Sequence, residues 1–117
     1  MTVDPPPVQL GSIMFSLIEP HDGRHREYNR WYDRDHFYAG VLCGPWVLAG
    51  ERYVATRAHK EHRYPQPSAL TPDAGDGSFL NLYWFHAAHM QDWDTWAFEQ
   101  VKMLGPDHRM WPWRTHR

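Results

Sequence analysis

The run Tyr28-Asn29-Arg30-Trp31-Tyr32-Asp33-Arg34-Asp35-His36 is the densest aromatic and acid/base stretch of the chain. A helix advances about 100° per residue, which sorts these side chains onto two sides. Tyr28, Trp31, Tyr32, Asp35, Ala39 and Leu42 share one stripe, with His36 on its shoulder. Arg26, Arg30, Asp33 and Arg34 fall on the opposite side, where charges meet water. Asp35 is the misfit, because an unpaired buried carboxylate is costly. The pattern therefore predicts either a break in the helix at Asp35 or a polar partner for it.

The rest of the chain arranges itself around that helix. Met1 to Val8 carries Pro5, Pro6 and Pro7, and residues 1–11 read as a flexible Pro-rich arm ahead of one domain spanning 12–117. Ser12-Ile13-Met14-Phe15-Ser16-Leu17-Ile18 is a compact apolar run closed by Pro20, the pattern of a strand buried on both faces. His21-Asp22-Gly23 turns the chain into the helix, which starts near Arg24 to Glu27. Gly40 and Gly44-Pro45 punctuate its end. Arg52 to Thr56 reads as a second strand. His59 to Gly77 holds Pro65, Pro67, Pro72, Gly75 and Gly77, and reads as a long loop of the kind that covers a binding site. Phe79 to Phe85 reads as a third strand, with Phe79, Asn81, Tyr83 and Phe85 on one face and Leu80, Leu82, Trp84 and His86 on the other. Asp92 to Leu104 reads as a second helix, burying Trp93, Trp96, Ala97, Gln100, Val101 and Leu104 and stopped by Gly105-Pro106.

A length of 117 residues suits a single modest core. The formal net charge of −2 gives no reason to expect nucleic acid or an acidic membrane surface as a partner. Aromatic residues make up 15% of the chain, seven of them Trp, which points to a pocket or interface for flat apolar surfaces. The single Cys43 excludes an internal disulfide and a Cys-rich zinc site, and suits a reducing compartment. Without a basic-then-apolar leader or a run of about 18 apolar residues, a soluble cytoplasmic protein is expected.

The order strand, helix, strand, strand, helix is the opening of a ferredoxin-like βαββα(β) domain of the α+β class, its last strand short or missing. At this point the residues resemble a family. Asn29-x-Trp31-Tyr32-x-x-x-His36, then Gly44-Pro45-Trp46 and Ala49-Gly50-x-Arg52-Tyr53, are similar to the first half of dimeric α/β-barrel proteins of the EthD-like group. The likeness covers residues 12–57, and 78–104 in outline. It departs from the group in the length of the His59 to Gly77 loop and in lacking a clear fourth strand. The resemblance implies a homodimer whose two sheets face one another, with a pocket between each sheet and its first helix. It spans cofactor-free monooxygenases, muconolactone-type isomerases, polyketide cyclases and haem proteins, so it selects no single reaction.

The residues narrow the chemistry. His36 is the leading acid/base group, because imidazole exchanges protons near neutral pH, and Asp33 has the helical spacing to orient it. The plainer alternative is that His36 caps or packs the helix end. Tyr32 and Tyr83 are the candidate hydrogen-bond donors. Trp31, Asp35, Asn81, Phe15, Trp84 and His86 are the candidate substrate-binding residues, with Asn81 alternatively pairing only to its neighbouring strand. The nine His form pairs at His21/His25, His59/His62 and His86/His89, but loops and turns hold most of them, so no metal is expected. His36 or His86 could serve as a haem ligand, yet no attachment motif accompanies either, and no cofactor is expected. The sequence thus predicts a small enzyme doing cyclase-, isomerase- or dehydratase-type proton transfer on a hydrophobic aromatic or polyketide-like molecule. Cofactor-independent oxygenation, or a non-catalytic binding or assembly module, are the alternatives. A cavity faced by His36 separates enzyme from module.

Overall fold

The computed structural model describes residues 3–4, 7–112 and 114–116. Strand β1 spans Leu10–Pro20, helix α1 His25–Trp31, a π-helical segment Tyr32–Leu42, β2 Val47–Val54, α2 Arg57–Lys60, β3 Phe79–His86, α3 Met90–Leu104 and β4 Arg114–His116. The strands form one antiparallel sheet in the order β2-β3-β1-β4. The protein is α+β, and α1, the π segment and α3 lie on one face of the sheet.

Alternation along β3 explains why that face is the core. Phe79, Asn81, Tyr83 and Phe85 are all buried, while Leu80, Leu82, Trp84 and His86 are half-buried. Tyr28, Tyr32, Val41 and Trp93 pack on this face with Ile18. Register places Ser16 of β1 opposite Asn81, and Asn81 opposite Arg52 of β2. Three polar residues therefore cross the middle of an otherwise apolar face.

β1 starts at Leu10, inside the stretch expected to be a flexible arm. Gly11 explains the early start: a Cβ there would lie 2.3 Å from Ala87 Cα, so only glycine lets the two backbones meet at the bulge between Leu10 and Ser12. β1 is not buried on both faces, since Ile13 and Phe15 on the far side are 53% and 48% exposed. β2 starts at Val47 rather than Arg52, its first half masked in the sequence by Gly50 and by the bulge between Val47 and Ala49. α3 starts at Met90, two residues early, and Val101 of its expected buried stripe is exposed, although Leu104 beyond it is buried. A fourth strand is present, three residues long, pairing with Ile18, Glu19 and Pro20.

The Tyr28 helix continues past Asp35 but changes pitch. From Tyr32 onward its i→i+5 hydrogen bonding widens the turn. Spacing of 3.6 would bury Ala39 and Leu42; the wider turn buries Gly40 and Val41 instead, leaving the expected pair half-buried. Asp35 also has its polar partner, a two-pronged pair with Arg109, whose Nε donates to Oδ2 at 3.0 Å and whose Nη2 donates to Oδ1. Trp31 Nε1 donates to the Arg109 carbonyl at 2.8 Å, so the segment after α3 is strapped across the π segment.

The region expected as a loop opens with α2, whose N-cap Thr56 forms a capping box with His59. Lys60 donates to the Gly75 carbonyl, and Arg63 to the carbonyls of Ala74, Asp76 and Gly77. Glu19 anchors the loop's end, accepting from Ser78 N–H at 2.8 Å and from His25 Nε2 at 2.8 Å. The loop lies over part of the sheet face opposite the core helices, near Leu17 and Leu80, and leaves Ile13 and Phe15 half-exposed.

Candidate functional site

His36 is placed by three neighbours. Its ring stacks on Trp31 with centroids 4.6 Å apart and planes 16° apart, and meets the Tyr32 ring edge-on at 5.0 Å. Beneath it lies Gly40, where a Cβ would sit 2.5 Å from both Cε1 and Nδ1 of the imidazole. The glycine is thus the space the ring occupies. Asp33, expected to orient the ring, is instead paired with Arg52, and Asp35 is held by Arg109.

His36 lines a cavity of about 180 Å³ between sheet and helices, together with Ser16, Ile18, Tyr32, Asn81 and Trp93. Its polar groups are ordered by a relay. The Arg52 guanidinium, tied to Asp33, donates from Nε to Asn81 Oδ1 at 3.2 Å. Asn81 Nδ2 donates in turn to Ser16 Oγ at 3.3 Å. The relay fixes the amide orientation of Asn81 and leaves the Ser16 O–H as an outgoing donor polarised by a cation at the relay's head. Arg52 also covers the Tyr32 ring at 4.1 Å, a cation–π contact in a largely desolvated setting.

Tyr32 and Tyr83 hydrogen-bond to one another through their hydroxyls. Burial pushes the Tyr32 phenol far above the ordinary tyrosine range; the Tyr83 hydroxyl beside it pushes further in the same direction, and Arg52 opposes weakly. Burial also raises the Tyr83 phenol, against the bond from Tyr32 and the charge of Arg52. Both therefore stay protonated at any working pH, as donors and acceptors of hydrogen bonds rather than as bases. Tyr32 reaches the cavity, and Tyr83 stands behind it.

The remaining sequence-predicted residues separate. Trp31 backs His36, and Asp35 lies at the surface with Arg109. Phe15 and Trp84 are on the other sheet face, Phe15 lining a cavity of about 410 Å³ under the loop. His86 sits at the end of β3 beside Trp46 and His89, with Trp46 stacked on His89 at 3.7 Å. The 410 Å³ cavity is roomier than the His36 cavity, but its polar groups serve the loop itself: Arg63 holds three carbonyls, His59 completes the capping box, and Ser68 and Thr71 bond to one another. The convergence of an imidazole, an amide and two hydroxyls makes the smaller cavity the candidate site. Since the loop lies on the opposite face, it does not cover this cavity. Ser16, Arg52, Gly40 and Trp93 belong to the site and were not singled out from sequence; pairing Arg52 with Asn81 across adjacent strands was the available signal.

Among the described residues no group of three His, Cys, Asp or Glu is arranged to hold a metal, and no helix is long and apolar enough to cross a membrane. No family model, curated protein or solved structure matches the chain. What fold and site define is an α+β protein with an aromatic-walled cavity between sheet and helices.

Proposed function

We propose that this chain is a small enzyme that moves a proton next to the carbonyl or phenol of a neutral aromatic or polyketide-like molecule. The observation that carries this reading is that His36 lines the same apolar cavity as Tyr32 and the Asn81–Ser16 relay. His36 acts as the base. The Ser16 and Tyr32 hydroxyls, neutral and fixed, stabilise the negative charge that develops on the substrate oxygen. Tyr83 holds the Tyr32 hydroxyl from behind. A cavity of about 150 Å³ accepts a benzene ring, so about 180 Å³ suits one ring bearing a short carbonyl substituent.

We assign the fold to the ferredoxin-like type and the molecule to dimeric α/β barrels of the EthD-like kind, acting as a cytoplasmic homodimer. Element order, strand order and the placement of the helices on one face support this, together with Ile13, Phe15 and Tyr53 left exposed on the other face. The test is exchange of α-protons of acetophenone with D2O, followed by NMR. The native protein accelerates exchange, and His36→Gln, which keeps hydrogen bonding but cannot carry the proton, loses at least about 100-fold. A folded His36→Gln protein exchanging at the native rate removes His36 from the chemistry and leaves a binding module.

A further inference from the structure

The His36 cavity is not fully enclosed. Met14, Trp93, Ala97 and Val101 line it and equally line an outer cleft of about 450 Å³ that continues to Phe98, Thr95 and Asp94. The two spaces thus share these four walls along the seam between β1 and α3. Phe98 and Val101 are 63% and 46% exposed, apolar side chains bordering a cleft that none of the described residues fills. No lysine or arginine is among the described residues lining either space, and Asp94 is the sole carboxylate. An anionic occupant would meet Asp94 at the exit, and the cation beside the cleft, Lys102 at 4.6 Å over the Phe98 ring, is already paired with Glu99.

We propose that the cavity and the cleft form one elongated site for a neutral molecule whose polar ring-sized head lies at His36 and whose unbranched apolar tail runs out over Met14, Val101 and Phe98. This rests on the functional reading of the His36 cavity and adds the tail, its path and its charge. The inner cavity holds no more than the head, so selectivity for chain length resides in the outer cleft. A charged tail is rejected, most strongly an anionic one.

The experiment uses 4-alkylacetophenones of increasing alkyl length, with binding measured by calorimetry. Affinity rises roughly fourfold per added methylene over the first few carbons, as for apolar groups leaving water. Phe98→Asp, at an exposed position lining only the outer cleft, abolishes that gain and leaves acetophenone itself bound as before. A 4-carboxyalkyl analogue binds no better than acetophenone. Acetophenone binding without any gain from the alkyl chain overturns the tail assignment while leaving the head site intact. A gain that survives Phe98→Asp but disappears in Leu70→Asp places the chain in the opposite-face cavity and overturns it as well. Failure of every member to bind removes both the tail site and the reading of the His36 cavity.

Discussion

The paired hydroxyls of Tyr32 and Tyr83 give a prediction that depends on no substrate. Tyr83 is fully buried and Tyr32 is 5% exposed, so neither hydroxyl can simply turn to bulk water when its partner is removed. Stranding a buried hydroxyl costs about 1–3 kcal/mol, whereas removing both members of the pair from an apolar setting comes close to neutral. The two single changes are not equivalent. Tyr83→Phe strands the hydroxyl of Tyr32, a residue that lines the 180 Å³ cavity, from which a water can reach it. Tyr32→Phe strands the Tyr83 hydroxyl, which stands behind the cavity wall. Tyr83→Phe should therefore cost about 1 kcal/mol and Tyr32→Phe about 2–3 kcal/mol. Both keep the ring, so the contact of Arg52 with position 32 persists.

The double variant should be less destabilised than the sum of the singles by at least about 1 kcal/mol. Urea unfolding followed by tryptophan fluorescence measures all four proteins, and each kcal/mol should also appear as a shift of about 4 °C in Tm. Additivity within about 0.5 kcal/mol would refute the pairing. A larger loss for Tyr83→Phe than for Tyr32→Phe would place the cavity on the wrong hydroxyl.

Gly40→Ala should leave Tm within a few degrees, because helix propensity gained offsets local crowding, yet push the His36 ring off its Trp31 stack. An imidazole misplaced by about 1 Å should lower ketone exchange about 100-fold, and an unchanged rate would show that the ring has room elsewhere. Burial alone would raise the Glu19 carboxyl, but hydrogen bonds from Ser78 and His25 outweigh it and hold the group below the ordinary carboxylate range. That contribution is complete above the unfolded value near 4.3 and is lost as pH falls through the lower folded value. The stability gap between the native protein and Glu19→Gln should thus be open at pH 7 and nearly closed at pH 2, as read by urea midpoints at both. Sedimentation at micromolar concentration should give twice 13.9 kDa, and Phe15→Asp on the open sheet face should give 13.9 kDa; a native monomer would end the barrel assignment.

The sequence revealed most where one period ruled a whole element. β3 alternates cleanly, and the grouping of Phe79, Asn81, Tyr83 and Phe85 on one face was legible from a period of two. The gathering of His36, Tyr32 and Asn81 at one cavity follows from putting that face under the Tyr28 helix. Phe15, Trp84 and His86 were drawn into the same site because an apolar or polar character says nothing about which face a strand turns inward. Gly40, read only as punctuation at the helix end, and Ser16 went unassigned to the site for a different reason. Their roles are spatial, one as room for a ring and the other as the last member of a relay starting at Arg52, and neither leaves a local pattern.

Asp35 shows how a local misfit can report on distant structure. The sequence left two ways out of a carboxylate on an apolar stripe, a broken helix or a polar partner. The chain takes both in softened form. The helix is not broken but widened from Tyr32 onward, which shifts the buried positions to Gly40 and Val41 and carries Asp35 toward the surface at 29% side-chain exposure. The partner is Arg109, 74 residues further on, whose guanidinium holds Asp35 while its carbonyl accepts from Trp31. The hydrogen bonds from Arg109 outweigh partial desolvation and lower the Asp35 carboxyl, so the pair is charged at neutral pH. Trp31 is also the ring on which His36 stacks. The segment after α3 therefore grips the π segment on either side of Tyr32 and fixes the platform of the proposed base. The strap from the far end of the chain thus ties the carboxylate at Asp35 to the Trp31 ring on which His36 stacks.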